Sequence, residues 1–320
     1  MSGAAAPAPV ALFVYNRPEH TIRTLEALAA NTLARSTPLV IFCDQARTAR
    51  ERPAVDRVRR RIAAEAWRRR FGDVQIVHAP ANKGLARSVT DGVGSVIARH
   101  GRVIVMEDDL ISAPDFLAFA NACLAYYRDD PLIGSIAGYS PLRRLPPDMA
   151  GGVYALPRNG SHGWATWADR WQKVDWTLPG YARFRGDRQS RARFDRAGAD
   201  RSRRLDREMA GRANSWSIRF GFDLFERGLL TVYPRDNRIA NIGGDGSGVH
   251  GARGFPFNPV LPERPRPFAL LPLVEDPRIV RAAARLYGGG PARRAMRHAL
   301  APLREAGQSL GSARLPLFTR

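Results

Sequence analysis

Three consecutive carboxylates, Glu107-Asp108-Asp109, follow directly on the apolar run Val103-Ile104-Val105-Met106. At the end of a buried strand, three acids repel one another unless they share a cation. Their hard oxygen atoms suit Mg²⁺ or Mn²⁺ bridging substrate phosphates. Other polar residues also follow apolar runs. Asn16 and Arg17 come after residues 10–15, Asp44 after residues 39–43, and Asn82 and Lys83 shortly after residues 74–78. Residues 243–251 are glycine-rich and carry Asp245, Ser247 and His250. Such a loop reads either as a plain flexible connection or as a lid whose backbone N–H groups approach a diphosphate. No Gly-x-Gly-x-x-Gly follows the first apolar run, and there is no Gly-Lys-Ser/Thr loop. Those absences argue against a dinucleotide dehydrogenase and a P-loop enzyme.

The elements that must hold these residues alternate. The apolar run at 10–15 is a predicted strand buried on both faces, and residues 39–43, 74–78 and 103–106 are further predicted strands. Between them, Ile22, Leu25, Leu28 and Ala29, then Val55, Val58, Ile62 and Ala66, then Leu85, Val89, Val93, Val96 and Ile97 mark three amphipathic helices. Asn16, with Pro18 and Glu19 behind it, is the expected start of the first. Strand–helix repetition at this spacing implies a parallel sheet, with ligands beyond the carboxyl ends of the strands. Ser112 and Asp115 resemble a capping box, so a helix is expected just past the acids, burying Phe116, Phe119, Cys123 and Tyr127. Trp164, Trp167 and Trp171 fall at i, i+3 and i+7, which predicts one face of a helix. Trp167 and Trp171 read as core. Trp164, beside His162 and Gly163, reads equally as core or as an indole stacked on a sugar.

The chain has 320 residues, of which 44% are apolar and 25% charged, as in an ordinary folded α/β protein. Its 50 basic residues face 30 acidic ones. Only Lys83 and Lys173 are lysines, so 48 arginines carry the excess. With abundant Ala, Gly and Pro, this has the look of compositional bias, and no nucleic-acid partner is expected from charge alone. Cys43 and Cys123 are expected to be buried thiols, which leaves no structural zinc site. No apolar run is long enough to span a bilayer. Residues 1–9 are expected to be a flexible lead-in to a cytoplasmic protein.

The sequence Glu107-Asp108-Asp109-Leu110, followed by Ala113-Pro114-Asp115-Phe116, resembles the nucleotide-sugar site of N-acetylglucosaminyltransferase I and its bacterial relatives, which are GT-A-fold glycosyltransferases. Asn16-Arg17, Asp44, the segment from Gly163-Trp164 through Arg170-Trp171 to Trp176, Asn214-Ser215-Trp216 and His250 fall in the same order. The resemblance covers residues 10–255. It implies that Asp109 binds the metal, that Asp108 touches the ribose or assists, and that Glu107 faces the donor sugar. It also implies that Asp44 accepts from the pyrimidine N3–H, with Asn16, Arg17, Lys83 and Trp164 around the nucleotide sugar. His250 would complete the metal or contact the diphosphate. Where the family has an acidic pair before a Trp as its base, this chain has Asn214-Ser215. Asp245 is the first substitute and Asp169 the second.

The expected organisation is a GT-A catalytic domain over residues 10–258, then a Pro-rich linker and basic helical tail over 259–320. The fold class is α/β, a mostly parallel sheet flanked by helices. The expected activity is metal-dependent transfer of a sugar from a UDP-linked donor to a glycan or lipid-linked acceptor, with inversion. The alternatives are a nucleotidyltransferase acting on sugar phosphates and a basic protein that binds membrane or nucleic acid. The stripe Met296, Leu300 and Leu303, with arginines around it, suggests docking on an anionic inner-membrane face.

Overall fold

The computed structural model describes residues 6–245 and 259–288. Its first half runs β1 (Val10–Val14), α1 (Pro18–Ala29), β2 (Pro38–Cys43), α2 (Arg52–Ile62), β3 (Asp73–His78), α3 (Gly84–His100) and β4 (Arg102–Glu107). Next come β5 (Leu110–Ser112), α4 (Phe116–Tyr126), β6 (Ile133–Ala137), β7 (Val153–Leu156) and β8 (Trp164–Trp167). A helical stretch follows: α5 (Ala168–Trp171), α6 (Tyr181–Gly186), α7 (Arg188–Asp195), α8 (Arg201–Met209) and α9 (Trp216–Glu226). The chain then returns to the sheet with β9 (Leu230–Pro234) and β10 (Ile239–Asn241), and the described part ends in α10 (Pro277–Gly288).

The large sheet has the order β3-β2-β1-β4-β8-β6-β9-β7. β1 pairs in parallel with both β2 and β4, β2 with β3, and β6 with β9; β8 and β7 are antiparallel to their neighbours. The result is the expected α/β class, a mostly parallel mixed sheet flanked by helices. Residues of β1 are buried on both faces, which is why it reads as an unbroken apolar run. Val10, Leu12 and Val14 pack on one side with Leu25 and Leu28 of α1 and Phe116 and Phe119 of α4. Ala11 and Phe13 pack on the other side with Val89, Val93 and Ile97 of α3 and with Trp164 and Trp216.

Several local expectations change. Trp164–Trp167 is strand β8, so Trp164 and Trp167 enter opposite layers of the core instead of sharing a helical face. The helix after the acids starts at Phe116, without a side-chain cap, because β5 takes up the residues between. Helix α1 is capped at Arg17 instead of Asn16. Ala66 lies in a 3-10 turn, not in α2. Cys43 and Cys123 are buried free thiols, as expected. The Pro-rich segment is a strap on the sheet. Phe268, Leu270 and Leu273 pack against the core, Gly152 N donates to Ala269 O (2.8 Å), and Tyr127 Oη donates to Leu271 O (2.7 Å). Helix α10 follows it down, burying Ile279, Val280 and Ala283 against Tyr154 and Leu156. The stripe around Met296 lies outside the described residues. Among the described residues, no helix is long and apolar enough to cross a membrane.

Helix α3 approaches the sheet at a glycine. A Cβ on Gly92 would lie 2.7 Å from the ring of Phe13, which is stacked on Phe42 with centroids 5.0 Å apart. A Cβ on Gly94 would meet only Trp171 Nε1, at 3.9 Å. Alanine gains roughly 1 kcal/mol over glycine inside a helix, and overpacking costs about 1–3 kcal/mol. Gly94→Ala is therefore expected to raise the melting temperature and Gly92→Ala to lower it. Thermal unfolding of both variants checks the pair.

Candidate active site

β1 and β4 lie side by side with Phe13 opposite Glu107, so both strands end at the same edge. The chain leaving β1 there meets the turn leaving β4. Tyr15 N donates to Asp108 Oδ2 (3.2 Å), and Arg17 Nη2 donates to Asp108 Oδ1 (2.5 Å) and Asp109 Oδ2 (3.0 Å). From α1, Thr24 Oγ1 donates to Asp108 O (2.9 Å) and fixes the turn from below. Burial works against the Arg17 charge, but Asp108 and Asp109 outweigh it and hold the guanidinium firmly protonated. Glu107 has no such partner. Burial, then the charges of Asp109 and Asp108, push its carboxyl up to about 8 against the pull of Arg17.

A second segment covers this turn. β10 pairs antiparallel with β5, and Ile242 N donates to Asp109 O (2.8 Å). The turn Gly243–Asp245 then lies directly on the acids. A Cβ at Gly243 would stand 2.2 Å from Asp109 Oδ2 and 3.0 Å from Arg17 Nη1, so a larger residue here would displace the Asp109 carboxylate. Asp245 reaches α1, where its Oδ2 lies 3.2 Å from His20 Nε2. His20 escaped the sequence reading. The one available signal was its spacing, three residues after Arg17 and thus on the same side of α1.

Asp44 has a defined local task. Its Oδ1 accepts from Gln45 N (2.8 Å) and Lys83 N (2.9 Å), and its Oδ2 from Gly84 N (2.9 Å) and Asn82 Nδ2 (3.2 Å). The carboxylate thus satisfies backbone donors at the start of α3. A pyrimidine N3–H could bond to it only by displacing one of these donors. Lys83 Nζ is held by Asp91 (2.8 Å). Asn214 reaches the same edge, its Nδ2 lying 3.8 Å from where a Gly84 Cβ would be. Asn16 stands half-buried beside Arg17.

Two candidates do not join the site. β8 runs antiparallel to β4 with Arg102 opposite Trp167 and Val105 opposite Trp164. Trp167 is thus offset by about 17 Å from Glu107 at ~3.4 Å per residue, and Asp169, just past it, lies at the far end of the sheet. It pairs there with Arg170 and Arg128. Trp164 is 1% exposed, stacked on Trp216 at 4.8 Å and packed on Phe220, so it offers no face to a sugar. His250 lies outside the described residues. Among the described residues, no three His, Cys, Asp or Glu side chains gather as a complete metal cage. With Glu107 resisting ionisation, the carboxylates of Asp108 and Asp109 against one guanidinium nevertheless leave excess negative charge. Hard oxygens of this kind suit a cation that takes one or two carboxylates and completes its shell with phosphate oxygens.

No protein-family model matches the chain, and no curated protein does. Solved structures of S. aureus TarS 1–349, alone, with UDP and with UDP-GlcNAc, are similar to it at TM-scores of 0.40, 0.41 and 0.41. Each is 10% identical and covers 72% of this chain, which in turn spans 59%, 59% and 57% of theirs.

The four donors converging on Asp44 make it a determinant of stability at this edge. Asp44→Ala leaves the Lys83 and Gly84 N–H groups without their acceptor and is expected to cost about 1–3 kcal/mol. Asp44→Asn keeps one accepting oxygen and should recover part of the loss. Urea denaturation of both variants measures the difference.

Proposed function

We propose that this chain is a GT-A-fold glycosyltransferase that moves a sugar from a nucleotide diphosphate donor, UDP-linked, to a glycan or lipid-linked acceptor. One observation carries the reading. An acidic turn neutralised in part by Arg17 and an Asp–His pair, Asp245 with His20, lie together at the carboxyl ends of parallel strands. That edge is where open α/β sheets bind their ligands. The resemblance of Glu107–Leu110 and the following segment to N-acetylglucosaminyltransferase I points the same way.

Each residue then has a task. Asp109, on the rim of the turn, would hold Mn²⁺ or Mg²⁺. When bound, the cation supplies positive charge to the diphosphate leaving group. Arg17 fixes Asp108 and Asp109 and brings its own positive charge to the phosphate side. Glu107, half-buried with a raised pKa, can stay protonated and donate to a hydroxyl of the donor sugar. Asp245 takes the proton of the acceptor hydroxyl as that oxygen bonds to the anomeric carbon. The bond from that carbon to the diphosphate breaks, and its electron pair leaves with UDP. A single displacement of this kind inverts the anomeric centre. His20 orients the Asp245 carboxylate.

Two measurements test the reading. UDP titrated by calorimetry should bind roughly tenfold or more weakly when Mn²⁺ is chelated or when Asp109 is replaced by Asn. Equal affinity in all four combinations of protein and metal would refute the metal role. Asp245→Asn should keep UDP affinity and lose about 10²–10⁴-fold in transfer rate, the usual cost of removing a general base. Full transfer activity in that variant would remove Asp245 from the chemistry.

A further inference from the structure

His162 stands between two features. The charge of Asp109 bears on it, and it also lines a cavity of about 410 Å³. The walls come from the segment after β7, from α8 and α9, and from Tyr287 of α10. What sets this cavity apart is its charge. Arg158 is bonded at both nitrogens to Asp200 (2.8 and 2.9 Å), and Arg204 leans on the same carboxylate at 3.6 Å. Arg201 is 2% exposed, and its described hydrogen bonds go to the neutral carbonyls of Pro157 (2.5 Å), Phe194 (2.8 Å) and Gly221 (3.1 Å). The nearby Asp195, whose Oδ1 accepts from Ser202 N (2.8 Å), adds its negative charge on Arg201. Two carboxylates, Asp200 and Asp195, thus face three arginines around one cavity.

An excess of buried positive charge is costly unless something answers it. The lowered pKa of Arg201, about 9 through burial and then the charge of Arg158, expresses the same imbalance. The chain has also built around it. Gly198 holds a φ of +143°, and a Cβ there would stand 2.6 Å from Arg158 Nη1, 2.7 Å from Tyr287 Cβ and 2.8 Å from Asp200 Oδ1. The ring of Tyr287 lies 3.6 Å from the Arg158 guanidinium carbon and closes that wall. Asn159 Nδ2, bonded to Ser217 Oγ (3.0 Å), adds polar groups opposite.

We infer that this cavity binds an oxyanion, a phosphate ester or a carboxylate. Resting on the glycosyltransferase reading, the oxyanion belongs to the acceptor. An acidic or phosphate-linked glycan, anchored by its charge among Arg158, Arg201 and Arg204, presents a hydroxyl past His162 to the acidic turn. Arginines matched to an oxyanion in this way give orientation as well as affinity.

Calorimetric titration of the full chain with methyl phosphate, methyl β-glucuronide and the neutral methyl β-glucoside tests this. At least one of the two anions should bind and the neutral sugar should not. The tighter anion identifies the source. Arg204 is at the rim, so Arg204→Glu should fold and weaken the anion roughly tenfold or more, whereas Asp109→Asn should leave it unchanged. Arg201→Met should abolish binding if it folds, with circular dichroism as the check, and Arg204→Glu decides if it does not. No binding of either anion, or binding lost in Asp109→Asn and intact in Arg204→Glu, overturns the proposal. Anion binding sensitive to Arg204 in a protein that ignores UDP would uphold the oxyanion site and refute only its assignment to a sugar acceptor.

Discussion

The bridge from Arg17 to Asp108 and Asp109 is the interaction on which the rest of this edge depends. Three successive carboxylates at the end of a buried strand would push one another toward solvent and drag β4 with them. One guanidinium, arriving from the end of the adjacent strand β1, answers two of the three. It can do so because β1 and β4 are parallel neighbours in matched register and because α1 begins directly at Arg17. Helix α1 thereby serves twice. It ties the acidic turn down through Arg17 and Thr24, and it offers His20 to the segment that lies across the top. Charge, register and helix start are a single constraint, and none of them can change without moving the others.

The first half of the fold was legible because β1, β2 and β4 are continuous apolar runs between helices of clear 3.6-residue period, while the edge strand β3 is broken by Gln75 and largely exposed. The polar residues at the carboxyl ends of β1, β2 and β4 were legible for the same reason: a polar residue that ends a buried run has to lie at an edge. The second half follows other rules. In β8, tryptophans at i and i+3 face opposite layers, yet the same spacing, extended to Trp171, imitates a helical stripe. Asp169 follows this strand, and the antiparallel run of β8 is what reveals which end of the sheet it occupies. β5 and β10 have three residues each, too few to show any alternation. Asp44 was visible as a carboxylate at an edge, but its bond partners come from the start of α3, which no local pattern links to it.

The two polar centres solve opposite problems. At the acidic turn, negative charge exceeds positive, and Glu107 answers by resisting ionisation. In the arginine-lined cavity, three arginines face two carboxylates, and the hydrogen bonds of Arg201 go to backbone carbonyls. His162 lies within reach of both. The two charge imbalances are opposite in sign, and His162 is the residue that relates to both.

The pairing of β10 with β5 has a consequence for how the chain matures. Strands β3, β2, β1 and β4 are contiguous in the sheet and come from the first third of the sequence, so they can assemble while the remainder is still being synthesised. The acidic turn belongs to that early unit, but its cover does not. Gly243 and Asp245 arrive only after β9 has returned to the sheet, and Tyr287 arrives later still. A partly made chain would therefore carry the acids without Asp245 and the arginines without their aromatic wall. The order of synthesis itself thus completes both polar centres last.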